Sequence, residues 1–78
     1  MPTVRIYSTS TCPYCRMAKD YLKAKGIQFE DIDVSADTVR ADEMVKISGQ
    51  MGVPVLDIDG TIIVGFDRQK INKALGLG

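Results

Sequence analysis

Val4-Arg5-Ile6-Tyr7-Ser8-Thr9-Ser10-Thr11-Cys12-Pro13-Tyr14-Cys15 is an alternating apolar run that ends in a serine and threonine cluster and leads directly into both cysteines of the chain. From Thr3 to Ser8 the side chains of Val4, Ile6 and Ser8 fall on one face and those of Arg5 and Tyr7 on the other, which is the period of a strand. Pro13 suits the first position of a helix, where its missing N–H would be unpaired anyway and its fixed φ is already helical. Cys12 then falls at the N-cap. The two sulfurs lie three residues apart on the first turn, close enough to form and break a disulfide within the chain.

Outward from that stretch, Met17, Ala18, Tyr21 and Leu22 recur at helical spacing while Arg16, Lys19, Asp20 and Lys23 face elsewhere, so the helix runs to about Lys25 and stops at Gly26. Ile27 to Val34 sets Phe29, Ile32 and Val34 against Glu30, Asp31 and Asp33 and reads as a second strand, parallel to the first in a right-handed βαβ unit. Ser35 is the expected N-cap of a second helix, with Asp37 in its first turn, Val39, Met44 and Ile47 as its apolar positions and Gly49 as its stop. Val53 to Ile58 and Thr61 to Val64 are β-rich runs around Asp59-Gly60, the signal for a type I′ hairpin. Asp67 caps a last helix with Ile71, Ala74 and Leu75 on one stripe and Gly76 near its end. The order β-α-β-α-β-β-α predicts an α/β fold, a small sheet with helices packed on it and a ligand site near the carboxyl end of the first strand.

The chain has 78 residues, two cysteines and no histidine. That length fits one domain over residues 1–78. Two cysteines so close in sequence cannot staple distant segments, so stability must come from packing. The start, Met1-Pro2-Thr3-Val4-Arg5, lacks the basic head and apolar stretch of a signal peptide, and no run approaches the roughly 18 apolar residues of a membrane span; the expectation is a cytoplasmic monomer. Ten basic and ten acidic residues balance, which gives no electrostatic reason to expect nucleic acid or anionic membrane as a partner. The signs nevertheless segregate: five basic and one acidic residue in 1–28, two and nine in 29–67, three basic in 68–78. This is either a solvated surface or a mildly basic field that favours a thiolate on the cysteine helix. Lack of histidine removes Cys-His catalysis and imidazole-ligated metal.

A thiol reacts as its anion, so something must stabilise that charge. An N-cap sulfur can accept hydrogen bonds from the N2 and N3 amides, here those of Tyr14 and Cys15, and feels the positive end of the helix dipole. Cys12 is therefore the expected nucleophile. Cys15, one turn inside, is the expected resolving thiol that attacks the mixed disulfide formed on Cys12. Two readings compete: zinc, which would need two further ligands from carboxylates or a second chain, and a pair of idle buried thiols. Tyr14 either covers the neighbouring loop or touches substrate. Asp20 reads as a helix-face charge near Arg16 and Lys23. Phe66 reads as packing, while Gly65 permits close backbone approach and Asp67 opens a helix whose amides suit an anion, which makes that segment a second candidate binding surface.

Thr11-Cys12-Pro13-Tyr14-Cys15, Val53-Pro54 before a strand and Gly65-Phe66-Asp67 before the last helix resemble the glutaredoxin family over essentially the whole chain. The resemblance implies the thioredoxin-like fold, a four-stranded mixed sheet flanked by three helices, with Pro54 as a cis-proline beside the cysteines and the Val53 backbone pairing with the substrate's chain. It implies a dithiol-disulfide oxidoreductase acting on protein or small-molecule disulfides through Cys12 and Cys15. Thr11, Pro13, Tyr14, Gln50, Val53, Pro54, Gly65, Phe66 and Asp67 would form its substrate site, with Gln50 at a position that holds a glutathione carboxylate in the family. No cofactor would be bound beyond the Cys12-Cys15 disulfide, with glutathione as a co-substrate or thioredoxin reductase as the electron donor. Three positions depart from the family's glutathione pattern: Thr9 replaces a lysine, Gly52-Val53-Pro54 replaces Thr-Val-Pro, and Val64-Gly65-Phe66-Asp67-Arg68 replaces Gly-Gly-x-Asp-Asp. The Gly-Phe turn is similar to that of redoxins serving ribonucleotide reductase, and Ser48 to Pro54 with Val64 to Asp67 is more similar still to short prokaryotic glutaredoxin-like proteins of the YruB type. The alternatives from other classes are a carrier that binds an iron-sulfur cluster or metal through Cys12, and an interaction module with incidental thiols.

Overall fold

In the computed structural model residues 3–77 are described; Met1 and Pro2, part of the segment read for leader features, and Gly78 lie outside them. The elements are β1 (Val4–Ser8), α1 (Pro13–Ala24), β2 (Glu30–Asp33), α2 (Thr38–Ser48), β3 (Val55–Ile58), β4 (Thr61–Val64) and α3 (Arg68–Leu75). They form the thioredoxin-like arrangement, one four-stranded mixed sheet in the order β2-β1-β3-β4 with three helices. β1 runs parallel to β2 and antiparallel to β3, which is antiparallel to β4.

Alternation along β1 divides the core in two. Val4 and Ile6 meet Ala18 and Leu22 of α1, Leu56 and Ile58 of β3, Ile63 of β4 and Ile71 of α3 on one face. Tyr7 joins Ile32, Met44 and Val55 on the other. Each fully buried Leu or Ile contributes ~1.5–3 kcal/mol, so the first and larger cluster is the main source of stability. The β3–β4 turn has φ of 50° at Asp59 and 91° at Gly60, the two positive values a type I′ turn requires, and Gly60 supplies the second without strain.

Four expectations change at the element level. β2 begins at Glu30, not Ile27, because Ile27 N–H closes the end of α1 on the Leu22 carbonyl at 2.9 Å while Gly26 N–H bonds Lys23 O at 3.0 Å, a helix-ending pair that takes those residues out of the sheet. α2 is capped by Asp37, whose carboxylate accepts the Val39 and Arg40 amides at 3.1 Å each. Ser35 instead folds back on Asp33, and its hydroxyl and amide hold that carboxyl below the usual aspartate range. β3 starts at Val55, two residues after the expected Val53. On α2 only Met44 is buried, whereas Val39 is 72% exposed and Ile47 lies at the surface.

Polar contacts do the rest of the docking of α2. The Tyr7 hydroxyl, on a buried ring, donates to the Glu43 carboxylate. Arg40 reaches the same carboxylate at 2.9 Å and Glu30 of β2 at 3.4 Å, and Arg5 of β1 lies 3.5 Å from Glu30. Burial first, and the Glu43 bond and charge next, push the Tyr7 hydroxyl from 10.0 up to about 12. Between those values the unfolded chain has lost a proton that the folded chain keeps, so stability falls as pH rises from about 10 to about 12. Tyr7→Phe should flatten that part of a plot of urea midpoint against pH while lowering the midpoint at neutral pH; identical alkaline slopes in the two proteins would show that Tyr7 is not the group responsible.

Candidate active site

β1 aims the site. Its last residue, Ser8, is buried and donates its hydroxyl to Asp31 at 2.7 Å, and the Val34 amide bonds Ser8 O at 3.0 Å, so the start of the 9–12 loop is fixed on both sides. Cys12 follows as the N-cap of α1 with extended backbone (φ −90°, ψ 114°) and Pro13 in the first helical position. Of the two amides expected on its sulfur, that of Cys15 makes the bond, at 3.2 Å. The Cys12 S–H points to the Val53 carbonyl at 3.9 Å, a long and weak contact.

The two sulfurs are free thiols in unequal surroundings: Cys12 is half-buried and Cys15 is fully buried. Burial, reinforced by hydrogen bonding to the Cys12 sulfur and by its charge, pushes the Cys15 thiol up to about 11 against the partial relief given by the Thr9 backbone and Lys19. At neutral pH Cys15 therefore holds its proton. Tyr14 is 62% exposed, which settles its orientation toward solvent. Thr11 and Pro13 line a cleft of about 370 Å³ with Ser10, Cys12, Arg16 and Met17.

The Val53–Pro54 peptide bond is cis and Pro54 is fully buried. Pro54 O accepts the Gly65 amide at 2.8 Å, which ties the Gly65-Phe66-Asp67 turn to the same loop that faces Cys12. Phe66 packs edge-to-face on Tyr21 with ring centroids 5.9 Å apart, and Tyr21 in turn donates its hydroxyl to Asn72 of α3. Asp67 accepts the Lys70 amide at 3.1 Å, so its own carboxylate occupies the helix N-terminus read above as an anion site.

Gln50 is turned inward on its own loop. Its carboxamide accepts the Gly52 N–H at 2.6 Å and donates to the Gly52 carbonyl at 3.0 Å, clamping that residue through both of its backbone groups. A Cβ on Gly52 would stand 2.7 Å from Gln50 Oε1, so the clamp depends on the missing side chain. A second cleft of about 330 Å³ brings in residues that sequence reading did not assign to the site: Thr9, Ser10, Arg16, Lys19, Asp20, Lys23 and Asp31 beside Cys12. The signal was present in the spacing of Cys12, Arg16, Lys19 and Lys23, which is that of one helix face.

The glutaredoxin family model matches residues 4–63. The chain is 50% identical over 72 residues to an uncharacterized glutaredoxin-like 8.6 kDa protein in the rubredoxin operon of Clostridium pasteurianum, covering 92% of this chain and 96% of that one. It is 40% identical over 67 residues to glutaredoxin 3 of Escherichia coli strain K12, covering 86% and 81% respectively. The crystal structure of a glutaredoxin from Archaeoglobus fulgidus superposes with a TM-score of 0.88 at 28% identity, covering 96% of this chain and 87% of that one.

Two outcomes follow from the geometry. Iodoacetamide added to the reduced protein at pH 7.5 should label Cys12 alone, with Cys15 reacting only in denaturant or as the pH nears 11; equal labelling of both in the native protein, read by peptide mass, would contradict the asymmetry. Gly52→Ala should destabilise the chain with Gln50 present, by ~1 kcal/mol for the displaced hydrogen bonds. In a Gln50→Ala background it should cost nothing, a coupling that a double-mutant cycle of urea midpoints measures.

Proposed function

This chain belongs to the glutaredoxin family, and on that premise we propose that it is a dithiol-disulfide oxidoreductase that reduces protein or small-molecule disulfides. The observation that carries the reading is the inequality of the two thiols: a half-buried sulfur at a helix cap, with the Cys15 amide 3.2 Å away, and a fully buried one behind it. Cys12, having given up its proton, attacks one sulfur of the substrate disulfide. The S–S bond breaks, one substrate sulfur leaves and takes a proton, and a Cys12-substrate disulfide forms. Negative charge on the Cys12 sulfur, before attack and when it leaves in the next step, meets the Cys15 N–H and the N-terminal end of α1.

Cys15 then loses its proton and attacks the Cys12 sulfur, releasing the second substrate thiol and leaving the Cys12-Cys15 disulfide. Two electrons have passed from the dithiol to the substrate. Holding Cys15 protonated until that point keeps it from competing as nucleophile. Thr11, Pro13 and the exposed Tyr14 flank the attacking sulfur, the Val53 backbone beside Pro54 pairs with the substrate's chain, and Gly65, Phe66 and Asp67 close the far side through the Gly65–Pro54 bond. Gln50 contributes to substrate binding by bracing the peptide next to Val53.

No bound cofactor takes part. Glutathione or thioredoxin reductase returns the electrons in the cytoplasm, where such systems keep thiols reduced. Cys12→Ser should abolish disulfide reduction, whereas Cys15→Ser should accumulate a substrate adduct on Cys12 visible as an added mass; a Cys12→Ser protein with full dithiol activity would refute the assignment. Supplying NADPH with either thioredoxin reductase or glutathione plus glutathione reductase identifies the donor.

A further inference from the structure

The cleft of about 330 Å³ beside Cys12 is lined by none of the residues assigned above to the substrate's backbone. It leaves the reactive sulfur along α1 toward β2. Arg16, Lys19 and Lys23 follow Cys12 at intervals of four, three and four, and at 1.5 Å per residue Arg16 lies about 6 Å and Lys23 about 16 Å along the axis from it. Lys19 is committed to Asp31 at 3.0 Å, and Asp31 also takes the Ser8 hydroxyl. Arg16 and Lys23 are exposed and, among the described residues, neither has an ion-pair partner, although Asp20 stands between them in sequence. Arg16 also lines the neighbouring cleft of about 370 Å³, so it faces both openings onto the sulfur.

From this arrangement, and resting on the oxidoreductase reading, we infer that the groove along α1 selects peptide or protein disulfides with carboxylates near the attacked cysteine. Arg16 takes a carboxylate next to the sulfur, where its planar guanidinium favours bidentate pairing. Lys23 takes a second one about five extended residues from the attacked cysteine, a separation set by about 3.3 Å per residue. Asp20, between the two cations, opposes a continuous acidic run, so the preferred pattern is two acidic positions separated by neutral or basic ones. The groove determines which disulfide is held against Cys12, and for how long.

The test uses three peptides, each dimerised through its single cysteine and carrying Asp, Asn or Lys at the first and fifth positions after it. The pre-reduced protein is mixed with each in a single turnover, and one peptide disulfide plus the protein dithiol gives two peptide thiols plus the Cys12-Cys15 disulfide. At low ionic strength the Asp peptide should react about tenfold faster than the Lys peptide, from two exposed charge contacts at ~2–5-fold each. That ratio should shrink toward one at about 0.5 M salt. Arg16→Glu with Lys23→Glu should reverse it, and the milder Arg16→Gln with Lys23→Gln should bring it near one. Because the readout is a ratio, any general change in Cys12 reactivity cancels. Wild-type rates within twofold of one another, or an unchanged preference in the charge-reversed variant, would overturn the groove's role. Failure of the wild type to reduce any of the three would instead overturn the oxidoreductase reading beneath it.

Discussion

Strand β1 has to satisfy both faces of the sheet at once, and the rest of the chain is arranged around that constraint. It lies between β2 and β3, so its apolar side chains are buried on both faces, against α1 and α3 on one and α2 on the other. Val4 and Ile6 enter the larger cluster, Tyr7 the smaller, and Ser8, at the carboxyl end, is buried with its hydroxyl held by Asp31. Since β1 cannot slide by one residue without exchanging these faces, the loop that follows starts from a fixed point. Cys12 takes its starting point from that register, and the Cys15 amide then holds its sulfur at the helix start.

Much of this was legible in the residues. Alternation over Thr3 to Ser8, Pro13 inside the helix start, Asp59-Gly60 and the Ile71, Ala74, Leu75 stripe each state a local preference that packing then confirms. Where two local signals competed, the sequence was ambiguous. Ser35 and Asp37 are both good caps, and the choice fell to Asp37 because Ser35 is bonded to Asp33. Ile27 has the character of a strand residue but completes the end of α1, a contact that no period of two or of 3.6 reports. Least legible was α2, since Val39 and Ile47 look like core positions while the helix is held by Tyr7, Glu43 and Arg40, a polar set that forms only once β1, β2 and α2 are side by side.

At the site, both cysteines and the Pro13 helix start were visible because the chemistry is local in sequence. The site roles of Val53 and Pro54 came from family likeness and that of Gly65 from its freedom for close backbone approach, and the Gly65–Pro54 hydrogen bond shows the physical link between two segments that sequence lists apart. The role of Gly52 could not be read at all. It is defined by the Gln50 carboxamide folding over its peptide, a contact that needs the loop already formed.

β2 is an edge of the sheet, paired on one side only, and its residues Glu30, Asp31 and Asp33 make it a strand with three carboxylates in four positions. An unpaired edge invites another chain to add to it, and like charges on that edge resist the addition. The acidic strand that lines the groove beside Cys12 through Asp31 therefore also guards the edge of the sheet against a further strand.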